Sequence, residues 1–498
     1  MIPAGDNAIY KLAARYAAAI AAILIACHYL GAAPAVLIVV AGCAAAFANK
    51  VSIALSAFIL LPFIMVFNPV LIPKSGMLWG LTLRGGPLLI GLCLATTSQR
   101  RKGNFKLPFN MLWVYLFIAA ICSVQGYVPK ISYAKLVNFG LFLWVICETT
   151  KNLQTAQGEL FRLRAFLLGL MALLVFGSFV SYRYPAISTL NGVILLRDSY
   201  GADIEQVDIM MRSLGGTQLF VGLLNHSQTF AGVVSCCFGW TICDMLFVER
   251  RFKWPHGILI CLMPIMIFMT RSRMGLLIML AFGAMLYFYT MFHIAMSPML
   301  KSRINNILTF IVVVGIFALV FGESRNKTVS RWLRKTDNVA TDERGLTEAV
   351  TSSRQGLIAQ NMADFRRNKF LGSGFQVAAN HVERYKERPG IIITAPIEKG
   401  ILPLMVLGET GILGAVFFLL FLSDFFARCI RMRLWSTLTL FATLFVSNMA
   451  EATFFSPGGA GGLEWCFTVV GGFICDSYIQ SLQGGRLPLR AYPVATRG

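Results

Sequence analysis

Residues 401–424 read ILPLMVLGETGILGAVFFLLFLSD, twenty-four positions in which Glu409 is the one ionisable side chain before Asp424. A helix of about twenty such residues crosses the ~30 Å hydrocarbon core of a bilayer. Working outward, similar blocks lie at 13–31, 33–49, 51–69, 77–97, 108–126, 133–149, 163–183, 217–248, 256–270, 274–296, 305–321, 435–451 and 459–480. Lipid offers no partner for backbone N–H and C=O groups, so only helices and closed barrels span it. A barrel would show short alternating segments instead. The expected fold is therefore an all-α polytopic membrane protein of about twelve to fourteen transmembrane helices.

The composition agrees. The chain is 57% hydrophobic and 13% charged, against about a quarter charged for soluble domains, and its mean hydropathy is +0.68. The net charge of +21 sits in short loops between apolar blocks, which argues against a nucleic-acid partner and leaves membrane orientation and an anionic substrate. The 12 cysteines fall mostly inside apolar blocks, with no CxxC pairing, and read as small packing residues. The first block follows Lys11 and Arg15 without a convincing cleavage site and reads as a retained helix.

Charge bias orients the spans. Arg100, Arg101, Lys102 and Lys106 share one loop, Arg250, Arg251 and Lys253 another. Lys301 with Arg303, and Arg428, Arg431 and Arg433, fall in two more. Alternate counting puts all four on one side, which the positive-inside rule makes cytoplasmic. Both termini follow it inside. The chain then divides into a bundle at 1–321, a large outer loop at 322–400, C-terminal spans at 401–480 and a cytoplasmic tail at 481–498. In the loop, basic residues outnumber acidic ones by five, opposite to the orientation rule, and this points to an anion site.

Three stretches could carry chemistry. Thr270-Arg271-Ser272-Arg273 lies at the outer end of one span, where two arginines either anchor at the interface or hold a phosphate by a guanidinium fork. Ser353-Arg354-Gln355 opens a helix-like run to Phe370-Leu371-Gly372-Ser373-Gly374-Phe375, whose glycines permit a tight turn or close backbone approach. Pro396, Glu398, Lys399 and Gly400 mark the return to the membrane, followed by Glu409-Thr410-Gly411-Ile412-Leu413-Gly414. A carboxylate as deep as Glu409 generally has a partner.

In this order the stretches resemble the superfamily of O-antigen ligases and O-antigen polymerases, over roughly residues 215–425. The resemblance is carried by Ser272-Arg273, by Arg354, by the "plxGxGf" turn at Phe370 to Phe375 and by the "ETGxxG" at Glu409 to Gly414. Asn225-His226-Ser227-Gln228 resembles the Asn/His segment that precedes the "SR" span. Where ligases carry a His-Asn pair before "ETG", this chain has Gly400-Ile401, which favours a polymerase.

The resemblance implies a GT-C-like membrane glycosyltransferase of the bacterial inner membrane, with the large loop periplasmic. Its donor would be an undecaprenyl-diphosphate-linked glycan. The acceptor would be a second lipid-linked chain for a polymerase, or lipid A-core for a ligase. A chain-length regulator and a flippase of the same pathway would be partners beside membrane lipids. Arg273, Arg354 and then Arg271 are expected to hold the lipid diphosphate. Arg84 either lines that cavity or snorkels. Glu398 is the first candidate base and His381 the second. Lys399, Glu409 and His226 are further pocket candidates, His226 being alternatively a core histidine and Glu398 a partner of Lys399 or Arg388. No carboxylate pair stands at metal-ligand spacing in the outer loops, so transfer is expected to be metal-free and inverting, without a cofactor. A lipid-glycan flippase, or a scaffold without catalysis, is the reading from other classes.

Overall fold

The computed structural model describes residues 7–74, 76–98, 108–153, 157–184, 220–249, 253–270, 346–377, 401–449 and 453–482, together with Ser272, Gly275, Ile278, Met279 and Phe282. Among them the architecture is helical, and the one extended pairing is an isolated antiparallel bridge between Phe67 and Leu224. The helices are α1 (Ala8–Leu30), α2 (Ala33–Phe47), α3 (Val51–Val66), α4 (Met77–Ser98), α5 (Asn110–Ser123), α6 (Pro129–Leu153), α7 (Gln157–Gly177) and the short α8 (Phe179–Arg183). They continue with α9 (Ser227–Cys243), α10 (Trp254–Met269), α11 (Leu346–Arg367), α12 (Leu402–Arg431), α13 (Trp435–Ser447), α14 (Gly459–Trp465) and α15 (Gly471–Leu482). A π-helical turn at Asp244–Glu249 extends α9, and another at Cys466–Val470 joins α14 to α15.

Six of the described helices, α1, α4, α6, α7, α9 with its π turn, and α12, are long and apolar enough to cross a membrane. The helices α2, α3, α5, α10 and α13 are apolar but shorter. At 13–16 residues they reach only about 20–24 Å at 1.5 Å per residue. The expected span at 305–321 lies outside the described residues, as does most of 274–296.

The boundaries differ from the sequence reading where a local signal overrides hydropathy. The block read as 217–248 becomes helical only at Ser227. Before it, Asn68 N–H donates to the Leu223 carbonyl and Asn225 N–H to the Val66 carbonyl, both at 2.8 Å. This short extended pairing ties the start of α9 to the end of α3. α12 runs seven residues past its expected end, to Arg431, and holds one non-helical residue, Gly411.

α1 packs on α7; α2, α3 and α4 pack on one another; α4 also meets α6, α5 meets α12, and α3 meets α14. α3 is apolar all round and buried along nearly its whole length, as such a helix must be. α1 and α2 instead present Ile25, Tyr29, Leu37, Val40 and Phe47 outward. Between α5, α6, α12, α13 and α14 lies an aromatic core in which Phe109, Phe139, Phe441, Phe454 and Trp465 meet edge-on or tilted.

One end of the bundle, where α3 finishes and α4, α9, α12 and α14 begin, is called the loop end below. The opposite end is held by buried charges. Arg164 of α7 forks onto Asp244, Nε to Oδ1 at 2.7 Å and Nη2 to Oδ2 at 2.8 Å, and also bonds Glu249. His256 of α10 places Nε2 2.8 Å from Asp244 Oδ2, and its Nδ1 lies 3.0 Å from the Tyr10 hydroxyl. The Arg164 guanidinium also lies over the Tyr478 ring of α15. Five chain segments therefore share one network, in which each buried charge is compensated.

Candidate functional site

At the loop end the two glycine motifs meet. α11 ends at Arg367, and the chain turns through Asn368, whose side chain accepts from Leu371 N–H at 3.1 Å. The segment 369–374 then lies along the bend of α12. Ser373 N–H donates to the Gly408 carbonyl at 2.9 Å, and Gly374 N–H to the Glu409 carbonyl at 2.9 Å. In return Ile412 N–H donates to the Lys369 carbonyl at 2.8 Å. Bending α12 at Gly411 is what exposes these groups, since an unbroken helix would keep them for itself.

Two glycines make the approach possible. Gly372 (φ +69°) and Gly411 (φ +64°) both occupy the left-handed region that L side chains avoid. A Cβ on Gly372 would lie 2.3 Å from the Glu409 carbonyl carbon, and one on Gly411 would lie 2.3 Å from that of Phe370. The motifs are thus each other's packing surface.

Other elements clamp the same turn. Tyr127 N–H donates to the Ser373 carbonyl at 2.9 Å, Phe375 N–H to Ser123 Oγ at 3.1 Å, and Lys135 Nζ to the Gln376 carbonyl at 3.1 Å. Phe375 is fully buried against Phe455, ring centroids 5.2 Å apart, whereas Phe370 is exposed. α11 is fastened by Tyr127, whose hydroxyl donates to Asp364 Oδ1 at 2.8 Å beneath the Arg367 guanidinium. Burial pushes the Tyr127 phenol up, and acceptance by Asp364 pushes it further, against the pull of Arg367.

Of the residues singled out from sequence, Glu409 is completely buried at the bend, facing Tyr115 of α5 within Coulombic reach. Arg354 lies on α11, whose far end enters the clamped turn. Arg84 lines a small pocket between α3, α4, α6 and Pro457-Gly458. His226 caps α9, its Nδ1 accepting from Gln228 N–H at 3.2 Å. Arg271, Arg273, His381, Glu398 and Lys399 lie outside the described residues. Their neighbour Ser272 is buried and accepts from Gly275 N–H at 3.2 Å, the bond a helix-capping serine makes.

The chain matches no family model, no curated protein and no solved structure. The site therefore stands on its own geometry.

The sequence reading missed a second carboxylate. Glu464 of α14 is buried and faces Gly232 of α9, where a Cβ would lie 2.4 Å from Glu464 Oε1. Thr453 Oγ1 reaches both Glu464 Oε2 and Asn448 Oδ1 at 3.4 Å. Gly232 is six residues past His226, about 9 Å along α9. An ionisable residue inside an apolar segment was the signal available for it, and the same signal marks Asp244 and His256. Lys74, beside the end of α3, donates to the carbonyls of Met65 at 2.9 Å and Phe67 at 2.5 Å. Burial pushes its ammonium down to about 7.

Proposed function

We propose that the chain is a membrane glycosyltransferase that joins undecaprenyl-diphosphate-linked oligosaccharide repeat units into a surface polysaccharide. The reaction takes place at the periplasmic face of a bacterial inner membrane, on a GT-C-like fold of twelve to fourteen spans. The observation that carries this reading is the union of the Phe370–Phe375 turn with the Glu409–Gly414 bend. Two motifs singled out separately, some forty residues apart, form one hydrogen-bonded unit, and the helix bearing Arg354 runs directly into it.

In this reading the donor's diphosphate is held by Arg273 and Arg354, with Arg271 and Arg84 in support. Negative charge develops on the departing lipid diphosphate, and fixed guanidinium groups stabilise it most where water is excluded. Glu398, or else His381, accepts the proton of the acceptor hydroxyl, a contribution of about 10²–10⁴-fold. The hydroxyl oxygen attacks the anomeric carbon as the bond to the diphosphate breaks, so one displacement inverts that centre. The clamp at Glu409 fastens the end of the helix bearing Arg354 to α12; it does not itself carry the chemistry.

Deleting the protein in the bacterium that encodes it tests the reading. Loss of a polymerase leaves single repeat units on the final acceptor. Loss of a ligase leaves finished polymer on the lipid carrier. Loss of a flippase leaves lipid-linked units in the cytoplasmic leaflet. The first pattern is the one expected; the third would refute a glycosyltransferase.

A further inference from the structure

The outward apolar faces of α5, α6 and α12 all end at the height of the clamped turn. On α5 the outward side chains Trp113, Phe117, Ile121 and Val124 fall three and four residues apart, one face of a helix. That face stops two residues short of Gly126, where a Cβ would lie 2.8 Å from the Ser373 carbonyl oxygen. On α12 the outward apolar side chains begin at Ile412 and continue through Val416, Leu419 and Leu420. Ile412 and Leu413 are the residues whose N–H groups bond the Lys369 and Phe370 carbonyls. α6 starts just beyond Tyr127, with Lys130, Tyr133 and Val137 outward in that order: a cation, then an aromatic ring, then an aliphatic chain.

This height fits the edge of the hydrocarbon core. From Ile412 to Arg431 is nineteen residues of α12, about 28 Å, close to the ~30 Å of a bilayer core. The part of α12 ahead of Ile412 therefore rises out of it. Exposed at the edge are Arg366, Arg367 and Lys369 and the ring of Phe370, which is 72% exposed. Arg367 is engaged over the Tyr127 ring; Arg366 and Lys369 flank it. Phe375 is fully buried, so the turn sends one ring into the bundle and the other outward. An outward ring gains nothing in water, whereas burial among acyl chains is favourable. A ring with cations beside it is the pattern of the membrane–water interface.

We infer that the end of α11 is a membrane-contact site: Phe370 inserts its ring among the acyl chains, and Arg366 and Lys369 hold the phosphates of anionic phospholipids in the leaflet at the loop end. The inference goes beyond glycosyl transfer and holds without it. It also accounts for part of the basic excess in the stretch 322–400, since two of its cations answer to lipid phosphates rather than to a substrate. The clamp fastens this end of α11 to the bundle, and the lipid contact fastens it to the leaflet.

The test is photocrosslinking of the purified full-length protein in vesicles of phosphatidylglycerol and phosphatidylcholine in equal amounts. The photoreactive p-benzoylphenylalanine replaces Phe370 and, in separate samples, Leu419, which faces lipid, and Pro403, which lies nine residues ahead of Ile412, about 13 Å above it. Mass spectrometry reads the adducts. Position 370 is expected to label phospholipid as position 419 does, and position 403 to stay silent. At position 370 phosphatidylglycerol should exceed phosphatidylcholine by up to roughly fivefold for each cation, and Arg366→Gln with Lys369→Gln should make the two equal. All the altered side chains are exposed, so the packed bundle is untouched, and labelling at position 419 verifies insertion in every sample. No lipid adduct at position 370 while position 419 labels, an adduct to the chain itself in its place, equal labelling at position 403, or indifference to headgroup charge before the cations are removed overturns the inference.

Discussion

Replacing Gly372 by alanine should open the clamp between the 370–375 turn and α12. The new methyl would lie 2.3 Å from the Glu409 carbonyl carbon and 2.5 Å from Thr410 N, backbone atoms that cannot swing aside. The residue would also have to hold φ +69°, at about 1–2 kcal/mol for a non-glycine. Separation relieves the clash and the strain but gives up the backbone bonds of Ser373, Gly374, Ile412 and Leu413, each worth about 1 kcal/mol net. The loss on separation is about 4 kcal/mol, equivalent to roughly a 10³-fold rise in local opening. Hydrogen exchange read on peptides covering 370–376 and 409–414 reports it directly. Exchange at Ser373 and Gly374 should accelerate, and so should exchange at Ile412, which lies on the other strand of the clamp. Gly411→Ala should give the same pattern, and the double variant should add little, because either change alone already separates the pair. Gly356→Ala on α11, where a Cβ meets nothing within 4 Å, should leave all three amides alone. Native exchange rates in Gly372→Ala would show that the motifs do not depend on this contact.

Three further outcomes follow from the same geometry. Asp244→Asn should lower thermal stability by about 2–3 kcal/mol, because Arg164 would lose its forked carboxylate partner while keeping Glu249; a melting temperature within a degree of native would contradict it. Tyr127→Phe removes the bond to Asp364 and should loosen α11 by about 1 kcal/mol, seen as faster exchange in peptides spanning 356–367 with the bundle unchanged. Lys74 titrates near 7 when folded and near 10.4 when unfolded, so between these values the unfolded chain binds the extra proton. Stability should therefore rise as pH is raised from 7 toward 10, and Lys74→Met should flatten that slope; parallel slopes would show that the amine is not desolvated.

The helices were legible because hydropathy over twenty residues is a local property. α1, α4 and α12 begin within a few residues of where apolar blocks begin. The late start of α9 was not legible, because it depends on Asn68 and Val66, more than 150 residues away in the chain. Residues 370–375 and 409–414 stood out for their glycines, yet nothing in the sequence says that Ser373 bonds Gly408. That pairing exists only once α12 bends at Gly411. The Arg164–Asp244–His256 network was hidden for the same reason, its partners being 80 and 12 residues apart within segments read as plain apolar spans. For Glu464 hydropathy misled, since one carboxylate barely alters the mean of a block that long.

The central proposal is glycosyl transfer from a lipid diphosphate, and one reconstitution tests it most directly. The purified protein, in lipid vesicles, receives a polyprenyl-diphosphate-linked repeat unit as both donor and acceptor, with Arg354→Ala in a parallel sample. A ladder of products on a gel, absent in the variant while the variant keeps its native melting temperature, is the result predicted. No ladder from the native protein with its cognate substrate, and none when lipid A-core is added as acceptor, would contradict it.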